Sequence, residues 1–384
     1  MAAMRTDLPE IADLATRLGP DDSQTHFTAA ALYEKTFLPE DFERSLSEYE
    51  KAAALSPANY LLWLELGKAR ERAGDTGGAE AALRYAVSLA PNYAAPHWAL
   101  GNTLVRQGKT GEGFAELRAA AAANPAFAAA AVRSALQALD GELAQIGNAI
   151  GDGPEIRAAL ITELTRAKRL DEAFRIWKTI SPHEQTGPLA EASGTLLAEL
   201  IAAKKFTEAF EIELARQGRD PQTPAGTLAN GGFEDEIKSR GASIFEWQIA
   251  DGAQPQIVIS DGQKHGGARS LLIVFNSSDP KDFRSIAQHV PVEPGKNYEF
   301  TAYYRAELKA AADVKWEIAD ADTSAAIAST NVVSNTADWV ELRCRFTSPK
   351  SGAVIVRFVR ENCSSAICPM IGRLWFDDLA VRAF

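Results

Sequence analysis

Hydrophobic and polar residues follow one rhythm in the first part of this chain and another in the second, with the change near residue 225. In "DFERSLSEYEKAAALSP" and "NYLLWLELGKARERAGDTGGAEAALRYAVSLAPNY" apolar positions fall three and four apart, the spacing of helices that bury one face. The second stretch is echoed at once by "AAPHWALGNTLVRQGKTGEGFAELRAAAAANPAF". Gly67, Gly74, Ala86 and Pro91 recur 34 residues later as Gly101, Gly108, Ala120 and Pro125, and Ala52 and Pro57 stand one period upstream. Small residues at Gly67 and Gly101 let two helices cross closely, Gly74 and Gly108 break the first helix, and proline stops the second. A lone hairpin of this kind cannot bury its apolar side, so a stacked array is predicted. "RAKRLDEAFRIWKTISP" and "AAKKFTEAFEIELARQG" repeat a second-helix pattern 36 residues apart, which extends the array in degenerate form over 126–218.

At "QGRDPQTPAGTLANGGFEDE" proline and glycine cluster and the helical spacing stops. The runs "IFEWQIA", "PQIVIS", "SLLIVF", "SIAQHVPV", "NYEFTAYYRA", "VKWEIAD", "DWVELRCRF", "AVIVRFV" and "RLWFDDLAV" then alternate or are β-branched, with turns between them. They predict an antiparallel β-sandwich. The expected fold class is therefore multidomain α plus β, an N-terminal α-solenoid followed by a C-terminal sandwich. Its divisions are an extension over 1–22, helical repeats over 23–218, a linker over 219–228 and the sandwich over 229–384.

Charge narrows the partners. The net charge is -11 and the pI near 5.1, which disfavours a phosphate-backbone binder. Residues 230–384 carry 17 Lys and Arg against 20 Asp and Glu, leaving 23 against 31 before them, so most of the acidity lies in the helical half. No apolar run is long enough to span a bilayer. The opening "MAAMRTDLPE" lacks the order of a secretory signal. The three cysteines all lie late, and Cys363 and Cys368 in "ENCSSAICPM" are spaced for a disulfide that staples a turn, with two reduced thiols the alternative.

The 34-residue unit resembles the tetratricopeptide repeat family over roughly residues 26–125. That resemblance implies a superhelix that docks a protein partner on its groove face. Lys68 and Asn102 occupy the groove position where some members hold a carboxylate, with Arg72 and Arg106 one turn on. Leu64 and Trp98 stand where further polar clamp residues would be needed, and the alternative is a solvated charged face.

In the second half, "NGGFE", the strand around Trp247, "GARSLLI", "IAQHVPVEPGKNYEFTAYYRA", "DWVELRCRFTSP" and "LWFDDLAV" together resemble carbohydrate-binding modules of families four, nine and twenty-two. The resemblance implies a galactose-binding-like jelly roll with a glycan ligand. It also implies a structural calcium between first and last strands, for which Glu234, Asp377 and Asp378 are the candidates, with carbonyls near Gly232 and Gly267. The alternative is that the two aspartates end a strand and cap a turn. Sugar recognition needs aromatic and polar side chains on the outward parity of a strand. That parity selects Tyr303 and Arg305, and in the next candidate strand Trp339 and Arg343. Gln288 stands among apolar positions, must find a partner or face a cleft, and is the remaining sugar-contact candidate. Trp247 and Trp316 share the core parity.

Nothing in the chain spells a catalytic motif. His26, His97, His183, His265 and His289 are dispersed, and adjacent Asp377 and Asp378 are expected on opposite strand faces, which is wrong for a shared acid pair. The expectation is a non-enzymatic adaptor, docking protein through its helices and glycan through its sandwich. An envelope-associated, periplasmic or secreted role in polysaccharide assembly or export is expected, any leader having been removed, with the cytoplasm as the alternative. A protein-only scaffold is the rival reading, and a glycoside-active enzyme the third.

Overall fold

The computed structural model describes residues 8–181, 184, 188–220, 223–238, 240–279, 282–361 and 368–384. Its contacts divide the chain into two units, Met1–Ala192 and Ser193–Phe384.

The first unit is helical. It holds α1 (Leu8–Leu18), α2 (Ser23–Glu34), α3 (Pro39–Leu55), α4 (Tyr60–Arg72), α5 (Thr76–Leu89), α6 (Ala94–Arg106), α7 (Thr110–Ala123), α8 (Ala128–Ala138), α9 (Leu143–Ile150), α10 (Pro154–Arg166) and α11 (Leu170–Lys178). Their starts are chemically marked: Asp22, Asn59 and Asp75 each accept backbone N–H bonds from the first turn that follows them. Gly67 lies where α4 crosses α5, and a Cβ there would stand 2.5 Å from the Leu83 side chain. The close crossing read from the sequence is thus enforced.

The joints between hairpins carry a device that was not legible in the sequence. A ring N–H reaches back six residues to a proline carbonyl at each of three joints: His26 Nε2 to Pro20 at 2.8 Å, Trp63 Nε1 to Pro57 at 2.9 Å and His97 Nε2 to Pro91 at 2.8 Å. The other nitrogen of each histidine meets a glutamate on the partner helix, Glu48 and Glu116 respectively. Aromatic side chains of different chemistry therefore do one job at one repeat position.

The α12 helix (Pro188–Ala202) leads into α13 (Phe206–Arg216). The degenerate repeats show their kinship in how helices end. Lys168 and Lys204 both adopt φ 60°, the left-handed region that Gly74 and Gly108 occupy earlier. In all four turns the next residue's N–H bonds five residues back, as in Asp75 to Arg70 and Lys205 to Leu200.

The second unit contains two five-stranded antiparallel sheets. Its strands are β1 (Gln248–Ile249), β2 (Gln256–Ser260), β3 (Ser270–Ser277), β4 (Ile286–Pro291), β5 (Asn297–Ala310), β6 (Val314–Asp320), β7 (Ala326–Ser329), β8 (Thr336–Thr347), β9 (Ala353–Arg360) and β10 (Met370–Ala383). One sheet has the order β1-β4-β9-β6-β7 and the other β2-β3-β10-β5-β8. All nine strands read from the sequence are present. The tenth, β7, is a four-residue edge strand whose "AIAS" gives no alternation to read.

Between the sheets lies one core in which Trp316 is fully buried against Phe300, Phe358 and Phe376, with Trp247 beside it. Both tryptophans are core residues, as their parity requires. Within the same unit α13 lies on the first sheet. Phe206 packs on the His289 ring at 5.6 Å and joins Ala321 and Ala353 in a small apolar cluster, Phe210 packs on Phe245 at 5.1 Å, and Lys204 pairs with Asp322. This last helix thus shares a core with the sandwich.

Candidate functional site

The outward face of the β2-β3-β10-β5-β8 sheet gathers most of the selected side chains. Register puts Asp377, Tyr303 and Glu341 in one row across β10, β5 and β8, and Trp375 opposite Arg305 in the next. Along β5 burial alternates as expected, with Tyr298, Phe300, Ala302 and Tyr304 inside and Tyr303 and Arg305 half-buried outside. Arg343 lies outward on β8, paired with Glu341. Arg305 donates to Gln263 Oε1 at 2.7 Å and lies 5.8 Å over the ring of Trp375. Its guanidinium is therefore held above an aromatic ring.

A third aromatic partner comes from the β2–β3 loop. The His265 ring stacks on Tyr303 with centroids 3.8 Å apart and planes 11° apart, and Trp339 meets His265 edge-on at 5.7 Å. Tyr303 and Trp339 are thus brought together, through a histidine that sequence parity could not select because it belongs to a loop.

Gln288 is a correction. It lies in the other sheet, 1% exposed, with Oε1 accepting from the Ala229 N–H at 2.8 Å and Nε2 donating to the Ala229 carbonyl at 3.1 Å. Its polarity ties the inner face of β4 to the entering chain at Ala229 instead of facing a cleft.

The carboxylates surround the same loop. Leu379 N–H bonds to the Gly231 carbonyl at 2.8 Å, so the segment carrying Glu234 runs beside β10. Glu234 accepts from Ala268 N–H at 2.9 Å and Arg269 N–H at 3.4 Å. Gly267 has φ +56°, and a Cβ there would strike Glu234. Asp377 is fully buried and accepts from the N–H groups of His265, Gly266 and Asp378 at 2.8, 3.1 and 2.8 Å. Burial pushes its carboxyl above the ordinary value, although those three bonds pull the other way. Asp378 Oδ2 meets His265 Nδ1 at 2.7 Å.

The expectation that the two aspartates face opposite ways is corrected here. A bulge between Asp377 and Ala380, with Asp378 at φ +49°, turns both carboxylates onto one loop. A calcium ion takes six to eight oxygens. Asp377 is committed to N–H donors, and among the described residues no three His, Cys, Asp or Glu side chains are grouped to hold a metal. Glu234 and Asp378 flank the Gly266–Gly267 turn, so the donor set suits calcium only if carbonyls supply the rest.

In the helical unit the groove residues are tied to their own scaffold. Lys68 pairs with Glu65 at 2.7 Å, Arg72 with Glu34, and Arg106 with Glu71, while Asn102 donates to the Trp98 carbonyl at 2.7 Å. Cys368 is buried and disulfide-bonded, and Cys344 is a free thiol that burial pushes up to about 12. Cys363, like His183, lies outside the described residues.

Residues 225–362 match the family model described as a carbohydrate binding domain, of the 4 and 9 type. That match supports a carbohydrate-binding domain in the C-terminal half. Among similar solved structures, "CBM4 structure and function" is 20% identical, covering 41% of this chain and 100% of its own at a TM-score of 0.31. TmCBM61 in complex with beta-1,4-galactotriose is 15% identical over 42% of this chain and 100% of that one, TM-score 0.31. The CBM22-1 xylan-binding domain from Paenibacillus barcinonensis Xyn10C is 13% identical over 42% and 97%, TM-score 0.28. Comparison with curated proteins finds no match.

Proposed function

We propose that the sandwich binds a glycan on the outward face of the β2-β3-β10-β5-β8 sheet, through Tyr303, Trp339, Arg305 and Arg343 together with His265. The observation that carries this reading is the ring cluster of Tyr303, His265 and Trp339 beside a fixed guanidinium, within the segment that matches a carbohydrate binding domain. Sugar rings stack on such surfaces, and planar hydrogen-bonding groups at their rim take the hydroxyls. A glycan array probed with the native chain and with Tyr303→Ala tests it. Binding to at least one glycan that disappears in the variant is expected; an array blank for both favours the scaffold reading without a sugar ligand.

The wider role is a non-enzymatic adaptor in the cell envelope, with helical repeats of the tetratricopeptide type docking a protein. The repeat spacing and the shared caps support it. Lys68, Arg72, Asn102 and Arg106 remain its groove candidates, and a partner must displace the glutamates that now hold the three cations. A structural calcium between Glu234 and Asp378 is a separate proposal. It predicts a higher Tm in calcium than in chelator; equal values refute it.

A further inference from the structure

We propose that His265 reads a sugar hydroxyl on this face and that Asp378 is the positioning residue that fixes its ring, an inference that rests on the glycan reading above. The loop of His265 is held without its imidazole. Asp377 binds the His265 and Gly266 N–H groups, Glu234 binds Ala268 and Arg269, and Ser270 Oγ donates to the Gln263 carbonyl. The side chain is one-third exposed, 33% of its surface being open to solvent. The bonds that close the loop therefore do not use the imidazole.

Its placement is nevertheless fixed on two sides. Tyr303 stacks under it, and Asp378, swung out by the β10 bulge, meets Nδ1 at 2.7 Å. A carboxylate accepts only, so Nδ1 carries a proton. Nε2 then has no protein partner among the described residues, and it belongs to the ring that joins Tyr303 to Trp339. A sugar hydroxyl both donates and accepts, so it pairs with Nε2 whether or not that nitrogen is protonated. The bulge that breaks the strand pattern at Asp377 and Asp378 thus serves a binding purpose, because an unbulged strand would turn Asp378 away from the histidine. Fixing the ring in advance lowers the ordering cost of binding.

The test uses the full chain. Affinity electrophoresis in gels holding soluble xylan, mixed-linkage β-glucan, galactan or hydroxyethylcellulose finds a bound polymer, and calorimetry then compares variants on it, in calcium and in chelator. His265→Phe keeps a ring on Tyr303 and removes Nε2; it is expected to bind about five- to tenfold more weakly, the worth of one hydrogen bond. Asp378→Ala loses a similar factor, and the double variant loses no more than either alone, with Tm unchanged for His265→Phe and the losses equal in both buffers. His265→Gln, which keeps a polar group without the ring, recovers part of the affinity. Wild-type affinity in His265→Phe with binding abolished by Tyr303→Ala overturns the inference and leaves the glycan reading intact. Additive losses, or an Asp378→Ala loss confined to the calcium buffer, overturn the positioning role. If no polymer retards the native chain, the glycan reading fails and the inference with it.

Discussion

Truncating Phe206 to alanine tests whether α13 is part of the sandwich unit or only the end of the helical array. Phe206 is 4% exposed and is surrounded by Ala321, Ala353, Ile244, Ile355 and the His289 ring. Two of those neighbours are alanines, which have no side-chain length to move into the space. Buried Phe→Ala changes cost about 3–5 kcal/mol, least where the surroundings collapse and most where they do not, so the upper part of that range is expected. At roughly 2–4 °C per kcal/mol for a unit of this size, Tm falls by on the order of 10 °C. The readout is thermal unfolding by near-UV circular dichroism, with hydrogen exchange followed on peptides from α13 and from β4. Exchange should quicken in both elements, since the ring touches both. A loss under about 1 kcal/mol, or faster exchange in α13 with β4 unchanged, refutes the shared core.

Other outcomes are equally specific. Phe37 is 71% exposed at φ +59°, a conformation that costs a non-glycine residue about 1–2 kcal/mol, so Phe37→Gly should stabilise the helical unit by somewhat less than that; destabilisation in urea melts would contradict it. For His26, burial lowers the pKa but bonds to Glu48 and Pro20 outweigh it and leave the value raised. Its contribution is then full below about pH 6.5 and is lost as pH rises through the folded value, a decline that His26→Gln should flatten. His289 is lowered by burial, so its stability is present above about pH 6.5 and lost on acidification below it. His289→Phe should keep at pH 5 the Tm that the native chain loses; an unchanged acid decline would show that the ring is not responsible. Gly267→Ala should unseat Glu234 and release the loop that carries His265, read as weakened glycan binding.

Much of the architecture was legible because it rests on local rhythm. The 34-residue echo marked the hairpins, and alternation marked nine strands and the inward side of Trp247 and Trp316. Long-range contacts left no such trace. His265 meets Asp378 across 113 residues of chain, and neither residue type at its own position announces the other. The bulge at Asp378 broke the alternation rule used to place it, because a left-handed residue re-aims everything after it. Gln288 illustrates the converse: a polar residue on a core parity was rightly singled out, yet only the fold shows that Ala229 satisfies it. The array's degenerate end was recognisable by spacing, but its packing against a sheet depends on Phe206 and Phe210 finding apolar partners that sequence order cannot supply.

One sheet face, above any other surface, is where glycan should be held. Hydrogen exchange of the native chain, with and without a polysaccharide that retards it in affinity gels, locates that place directly. Protection is expected in the 263–268 loop, around 301–305 in β5 and around 339–343 in β8. Protection confined to β4 and β9 of the opposite sheet, or to the helical unit, would contradict it.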